Sequence, residues 1–292
     1  MARNTVGGFL RSRFVRLFAF FILALSVSAW PRILHCQSNF DGPSQLVAAA
    51  LLMDVQSGEF LHGVAADTHI PPASLTKIMT LFLVFDALSA GKVRQNDVMR
   101  VDDSVQDIYG ARLGLQPGDV LTVGEAIYGV AVASANDAAT ALAVHIAGSE
   151  QAFVTRMNEK AASLELRNTY YENPHGLPSP GQKTTAADVA NISRAYILSH
   201  TEALEVHSAR TFQFRDVVFS NRNTLLGAYP GLDGLKTGFI RASGHCLVAT
   251  ATRHGRRLLS VVLGAASPEE RDAASVELLD YGFTASGPAA FD

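Results

Sequence analysis

Cysteine is scarce in this sequence. Cys36 and Cys246 are all that the 292 residues carry, and a small disulfide-built scaffold needs more. Two cysteines cannot form a zinc knuckle, and no His-Glu-x-x-His stands in for one, so the sequence offers no metal site and calls for no cofactor. Cys36 sits in a polar N-terminal stretch and Cys246 in an apolar strand-like run, and nothing local supports a bridge between them. Bulky His35 before Cys36 argues against a lipoprotein cleavage box. Basic charge is also in short supply. The 24 Lys and Arg against 27 Asp and Glu give a net charge of −3, so there is no cationic field to hold nucleic acid. Charged residues make up 17% and hydrophobic residues 48%, the balance of a globular chain with a sizeable core.

Acidic residues are missing from the N-terminal stretch, where the first is Asp41. Arg3, Arg11, Arg13 and Arg16 precede an apolar run from Leu17 to Leu25, and the small residues Val27-Ser28-Ala29 follow. That order is a secretory signal over residues 1–29, with an apolar run shorter than the roughly 20 residues of a spanning helix. The expected organisation is a signal peptide (1–29), an N-terminal tail (30–44), a catalytic domain (45–285) and a C-terminal tail (286–292). The expected location is across the inner membrane, periplasmic or otherwise extracytoplasmic, with no stable membrane anchor.

Leu46 to Val55 is continuously apolar, Gln56-Ser57-Gly58-Glu59 reads as a turn, and Phe60 to Ala65 returns as the second arm of a hairpin. Pro71-Pro72 precedes a long apolar helix from Ser74 to Ala90, stopped at Gly91. Val93 to Val105 reads as extended. Helices follow over Thr122–Val132, where Thr122 and Glu125 are spaced as a capping box, and over Asn136–Ile146, Glu150–Leu164 and Ala186–Leu198. Residues 171–182 are a Pro-, Gly- and Asn-rich loop. From Thr211 the texture turns to short β-like runs (Thr211–Phe214, Leu235–Ile240, Cys246–Thr252 and Leu258–Gly264) before a last helix over Pro268–Tyr281. Strands at both ends with helices between them predict an α+β fold: a central antiparallel sheet flanked by helices, with an inserted helical subdomain.

Three short motifs carry chemistry. In Ser74-Leu75-Thr76-Lys77 the serine needs a nearby base to become nucleophilic. The i, i+3 spacing brings the lysine amine to it on one helix face, and apolar surroundings favour a neutral, basic amine. Ser89-Ala90-Gly91-Lys92 has the same spacing at the helix C-terminus, where the dipole disfavours an oxyanion, and reads as a helix stop. Ser134-Ala135-Asn136 lies between two helices. It supplies a hydroxyl to relay a proton and a carboxamide that both donates and accepts, although Ser134, Asn136 and Asp137 also suit an ordinary N-cap. Lys236-Thr237-Gly238 enters an inner strand through the turn Gly231-Leu232-Asp233-Gly234, with Asp233 as a turn former. Lysine and hydroxyl there can clamp a carboxylate, and the glycine lets a ligand approach the backbone.

These motifs, in this order and context, form the set shared by penicillin-binding proteins and class A β-lactamases. Over residues 45–285 the chain resembles the low-molecular-mass penicillin-binding proteins, the serine D-alanyl-D-alanine carboxypeptidases. The flanking Pro72-Ala73, Asn173-Pro174-His175-Gly176-Leu177 and Asn221-Arg222-Asn223 match as well. The resemblance implies a β-lactamase/DD-peptidase-like fold and an acyl-enzyme on Ser74, with Lys77 as base and Ser134 passing a proton toward the leaving amine near Lys236. It further implies that Asn136 holds the peptide, Thr237 with Arg222 binds the terminal carboxylate, Gly238 lets the substrate approach, and the backbone N–H groups of Ser74 and Phe239 form the oxyanion hole. The implied partners are a peptidoglycan stem peptide ending in D-Ala-D-Ala and β-lactams as covalent inhibitors.

The sequence departs from the pattern at Phe239-Ile240, where many relatives carry a hydroxyl residue second. The chain also stops soon after Tyr281-Gly282-Phe283, so neither a second domain nor a C-terminal anchor is expected. A DD-endopeptidase acting on cross-links would use the same residues. A class A β-lactamase would need a Glu-x-x-Leu-Asn setting, which Glu165-Leu166-Arg167-Asn168 misspaces and Glu172-Asn173-Pro174 does not provide. His175 reads either as a substrate contact or as a structural hydrogen-bonder, and Arg241 as either a rim charge or a substrate contact.

Overall fold

Apolar residues that run on without alternating must be covered on both faces, and β1 (Ala49–Asp54) is buried at every position. In the computed structural model, which describes residues 42–43 and 46–285, the chain continues through β2 (Phe60–Val64), a 3-10 turn at Ala73–Leu75, α1 (Thr76–Ser89), β3 (Val98–Arg100), β4 (Val120–Thr122), α2 (Val123–Ala131), α3 (Asn136–Ala147) and α4 (Glu150–Ser163). It then forms α5 (Ala186–Ser199), α6 (Ala203–Ser208), β5 (Thr211–Phe214), β6 (Val217–Ser220), β7 (Leu232–Ile240), β8 (Gly244–Arg253), β9 (Arg256–Ala265) and α7 (Pro268–Ala285). The proposed signal peptide, Cys36 and the tail after residue 285 lie outside the described residues. Among the described residues no helix is long and apolar enough to cross a membrane.

One antiparallel sheet, ordered β2-β1-β9-β8-β7, joins the two ends of the chain. Its side chains alternate between two cores. Leu51, Met53, Val248, Leu259 and Val261 pack with α1 and α5 on one face, while Leu52, Leu247, Leu258 and Val262 pack with Leu278 and Leu279 of α7 on the other. The helices inserted between β2 and β7 complete the α+β architecture read from the sequence. α1 is buried on almost every side, as an all-round apolar helix must be, and this carries Lys77 into the interior. Thr122 and Glu125 close the predicted capping box reciprocally at the start of α2.

The structure corrects four readings. β7 is an edge strand rather than an inner one. It looks internal because α6 and the 3-10 turn at Ala73–Leu75 pack against it and keep most of it buried. Asp233 is part of β7, and both its carboxylate oxygens accept from the Arg257 guanidinium at 2.6 and 2.7 Å, so it is a cross-sheet anchor rather than a turn former. Only Val98–Arg100 of the stretch read as extended is a strand. Ala135, not a polar side chain, occupies the N-cap of α3, with no side-chain capping bond, and this sets aside the ordinary N-cap reading of the second motif.

Candidate active site

Ser74 stands in the 3-10 turn that leads into α1, and Lys77 lies one turn further on. The turn is held from above by the 173–177 loop. Asn173 accepts from the Gly176 N–H at 2.7 Å and donates to the Leu177 carbonyl at 3.0 Å, and the Thr80 hydroxyl donates to the Pro174 carbonyl at 2.5 Å. Gly176 has φ +86°, and a Cβ there would lie 1.8 Å from the Ala73 carbonyl oxygen. Only glycine lets the loop press this closely on the serine turn.

Lys77 Nζ has three partners: Ser74 Oγ at 3.1 Å, Asn136 Oδ1 at 2.6 Å and the His175 carbonyl at 2.5 Å. The lysine is fully buried. Burial holds its pKa well below the usual lysine range, the charges of Lys236 and Arg222 push it the same way, and Asp137 opposes them. A neutral amine has two N–H bonds and one lone pair. Asn136 and His175 present only acceptor oxygens and take the two hydrogens, so the lone pair is left for the Ser74 hydroxyl proton.

The second motif faces the first across the cleft. Ser134 sits at φ +58°, a conformation that costs a non-glycine residue about 1–3 kcal/mol, and its hydroxyl accepts from Lys236 Nζ at 3.0 Å. Asn136 begins α3. Its Nδ2 donates to the Tyr109 carbonyl at 2.7 Å while its Oδ1 holds Lys77. A carboxamide has two donor and two acceptor positions, so one of each is left for a substrate amide. Lys236 is 3% exposed and also donates to the Thr237 carbonyl at 3.0 Å. Burial, then the charges of Arg222 and Arg271, lower its pKa to about 7.

A cleft of about 670 Å³ collects Ser74, Ser134, Asn136, Arg222 and the Thr237–Phe239 edge of β7. Among the described residues Arg222 forms no ion pair. Phe239 is half exposed and stacks on His245, ring centroids 4.3 Å apart. The His175 ring is buried, its Nδ1 accepts from the Leu177 N–H at 3.1 Å, and burial with the Lys77 charge lowers its pKa to about 3. Its carbonyl, not its ring, reaches the lysine. Arg241 is exposed and does not line the cleft.

Several site residues escape a reading of the sequence. The Asp137 carboxylate accepts from the N–H groups of Leu113, Gly114 and Leu115 at 2.8–3.0 Å, tying the loop that forms one wall to the start of α3. Arg271 of α7 lines the cleft while paired with Asp272 at 2.7 Å. His207 of α6 is buried, bonds the Leu235 carbonyl at 2.9 Å and faces the Tyr196 hydroxyl at 3.2 Å. Asp137 follows the second motif directly, which is a usable signal; Arg271 and His207 have none in their local sequence.

Comparison with known proteins places this geometry. A family profile described as D-alanyl-D-alanine carboxypeptidase, peptidase S11, matches residues 39–267. D-alanyl-D-alanine carboxypeptidase DacF of Bacillus subtilis is 37% identical over 240 residues, covering 81% of this chain and 62% of the relative. DacC of Escherichia coli is 38% identical over 260 residues, covering 87% and 65%. The chain thus spans a little under two thirds of the length of these curated relatives. The crystal structure of penicillin binding protein 5 from Haemophilus influenzae superposes with a TM-score of 0.80 at 36% identity, covering 82% of this chain and 71% of that one. Penicillin-Binding Protein D2 from Listeria monocytogenes, in its ampicillin-bound form, superposes with a TM-score of 0.75 at 31% identity, covering 84% and 100%. With three motifs converging on one cleft and a profile matched over most of the sequence, the chain belongs to the D-alanyl-D-alanine carboxypeptidase family of serine peptidases.

Proposed function

We propose that the protein is a serine-type D-Ala-D-Ala carboxypeptidase that works outside the cytoplasmic membrane and is acylated by β-lactams. The observation that carries this reading is the environment of Lys77, whose buried amine sits between the Asn136 and His175 carbonyl oxygens and 3.1 Å from Ser74 Oγ, so that its neutral form keeps a lone pair for the serine proton. In the mechanism, Ser74 Oγ attacks the carbonyl between the two terminal D-alanines while Lys77 takes its proton. The oxyanion forms against the backbone N–H groups of Ser74 and Phe239. Ser134, 3.0 Å from Lys236, passes a proton to the nitrogen as the C–N bond breaks and D-alanine leaves. Thr237 and Arg222 hold the terminal carboxylate, and Asn136 steadies the preceding amide with its two unspent positions. Water then takes the acyl group from Ser74 and restores the enzyme.

The test is intact-protein mass after incubating residues 30–292 with benzylpenicillin, alongside Ser74→Ala, followed by an assay for D-alanine release from a stem pentapeptide. The expected result is one stable adduct on the wild type, none on the variant, and release of D-alanine. No adduct with no drug consumed would overturn the enzyme reading. Rapid drug hydrolysis without an adduct would move it to a β-lactamase, a reading that must contend with the Glu172 carboxylate being already bound to the Ser179 hydroxyl and the Gly181 N–H.

A further inference from the structure

An edge strand leaves alternate backbone groups without a strand partner, and β7 is such a strand. Its pairing with β8 is regular from Gly234 to Ile240. The Leu235 carbonyl turns outward, where His207 Nδ1 donates to it at 2.9 Å. By the two-residue period of a strand, Thr237 and Phe239 present their backbone groups to the same open edge. The Thr237 carbonyl accepts from Lys236 Nζ at 3.0 Å, and the Phe239 N–H is the donor assigned above to the oxyanion. Successive outward positions thus serve an anchor, a lysine and an oxyanion, and the anchor ties the strand to a separate helix, α6.

The surroundings of this anchor suit a histidine in particular. A carbonyl only accepts, so Nδ1 carries the hydrogen, and in a neutral ring Nε2 accepts. The Tyr196 hydroxyl lies 3.2 Å from Nε2. Burial holds the Tyr196 pKa well above the usual phenol range, so this hydroxyl keeps its proton and donates. Tyr196 in turn lies against Phe82 and Phe85 of α1, ring centroids 5.4 and 5.9 Å away. A chain of contacts therefore runs from the helix that carries Lys77, through Tyr196 and His207, to the strand that carries Lys236. The six-residue α6 has no side-chain cap and is too short to hold its own shape, so its place depends on what it packs against. The carbonyls of His207 and Ala209 accept from Asn221 Nδ2 at 3.3 and 3.0 Å, beside Arg222. Burial, then the Lys236 charge, lower the His207 pKa to about 3, so the ring is neutral where the enzyme works. A lysine or arginine could also donate to Leu235, but would set a further cation beside Lys236, which already faces the Arg222 and Arg271 charges.

We propose that His207 is a positioning residue for the reaction: braced by Tyr196, it holds the free edge of β7 so that Lys236 reaches Ser134 and the Phe239 N–H reaches the oxyanion. The inference rests on the catalytic reading above. His207 acts through Leu235 and touches neither the substrate nor the reacting atoms. Its two bonds can be separated by substitution. Asparagine carries its NH2 group close to where Nδ1 stands, and glutamine carries its own close to where Nε2 stands. Phenylalanine fills the space and makes neither bond.

The experiment measures the second-order rate of benzylpenicillin acylation, with D-alanine release from a stem pentapeptide, for wild type, His207→Phe, His207→Gln, His207→Asn and Tyr196→Phe, each beside its melting temperature. Loss of the bond to Leu235 predicts that His207→Phe and His207→Gln acylate about tenfold more slowly than wild type. His207→Asn restores that bond and should come back to within about threefold. Tyr196→Phe keeps the ring contacts with α1 and removes only the hydroxyl, so acylation should fall by about threefold in a protein that remains folded. Should His207→Phe fail to fold, the contrast between asparagine and glutamine decides the matter together with Tyr196→Phe. Equal rates for His207→Asn and His207→Gln, or losses that simply follow melting temperature across the variants, would show that the histidine serves folding alone and would overturn the proposal while leaving the carboxypeptidase standing. A wild type that neither acylates nor releases D-alanine would overturn both.

Discussion

At the scale of single residues the site separates the tasks of its two lysines. Lys77 is sealed inside, where burial and then the Lys236 and Arg222 charges hold its pKa well below the usual lysine range. Lys236 is equally dry, but its pKa of about 7 leaves it free to change state near neutrality. Its lowering comes from burial and then from the Arg222 and Arg271 charges, so an incoming carboxylate offsets the last two and favours the ammonium form. Binding a D-Ala-D-Ala peptide to the Ser74→Ala variant should therefore draw protons from solution at pH 7.5, where free Lys236 is mostly neutral. Calorimetry in buffers of different ionisation enthalpy checks this: the observed heat should vary with buffer in the direction of uptake, and a buffer-independent heat would contradict the assignment.

At the scale of elements the decisive contact is between the 173–177 loop and the serine turn. Gly176→Ala would drive a methyl into the Ala73 carbonyl at a backbone angle that alanine resists. Displacing a nucleophile by about 1 Å costs on the order of 100-fold in rate, so β-lactam acylation should fall by about that factor, by far more than the drop in folded fraction seen in a urea melt. Equal losses in the two measurements would show the glycine to matter only for folding. This scale also shows what the sequence could and could not convey. Ser74-x-x-Lys77 was legible because helix periodicity alone brings the pair together, and α1, α2 and the capping box were legible because they repeat a local pattern. α6 was missed because its six residues are too few to display a period. β7 reads as an inner strand in the sequence because burial by a helix and burial by a neighbouring strand leave the same apolar trace. Asp137 and His207 act through partners more than 20 residues away along the chain, and Arg271 reaches the cleft only because α7 packs against the sheet, so no short window of sequence shows what they do.

At the scale of the whole molecule, two buried histidines tie stability to pH. His175 and His207 are each held near a pKa of about 3, below the unfolded value of about 6.5. The unfolded chain therefore binds more protons, and stability rises with pH through that window and is lost as pH falls below about 6.5. Each such histidine contributes a slope of about 1.4 kcal/mol per pH unit between pH 6 and 4. His207→Gln should flatten the pH dependence of the unfolding free energy by that amount, as read from urea melts at a series of pH values, and an unchanged slope would mean that His207 is protonated in the fold. The sheet topology has one more outcome. Ser74 follows β2, whereas Lys236 lies on β7, and β1, paired on one side with β2, finds its second neighbour only in β9, near the other end of the chain. While the chain is still emerging, the serine turn exists without the edge strand that would supply the oxyanion donor and the carboxylate clamp. On the proposed mechanism, covalent labelling by a β-lactam would be a late event in the life of each molecule, a built-in stopwatch that starts only when the last strands have closed the sheet.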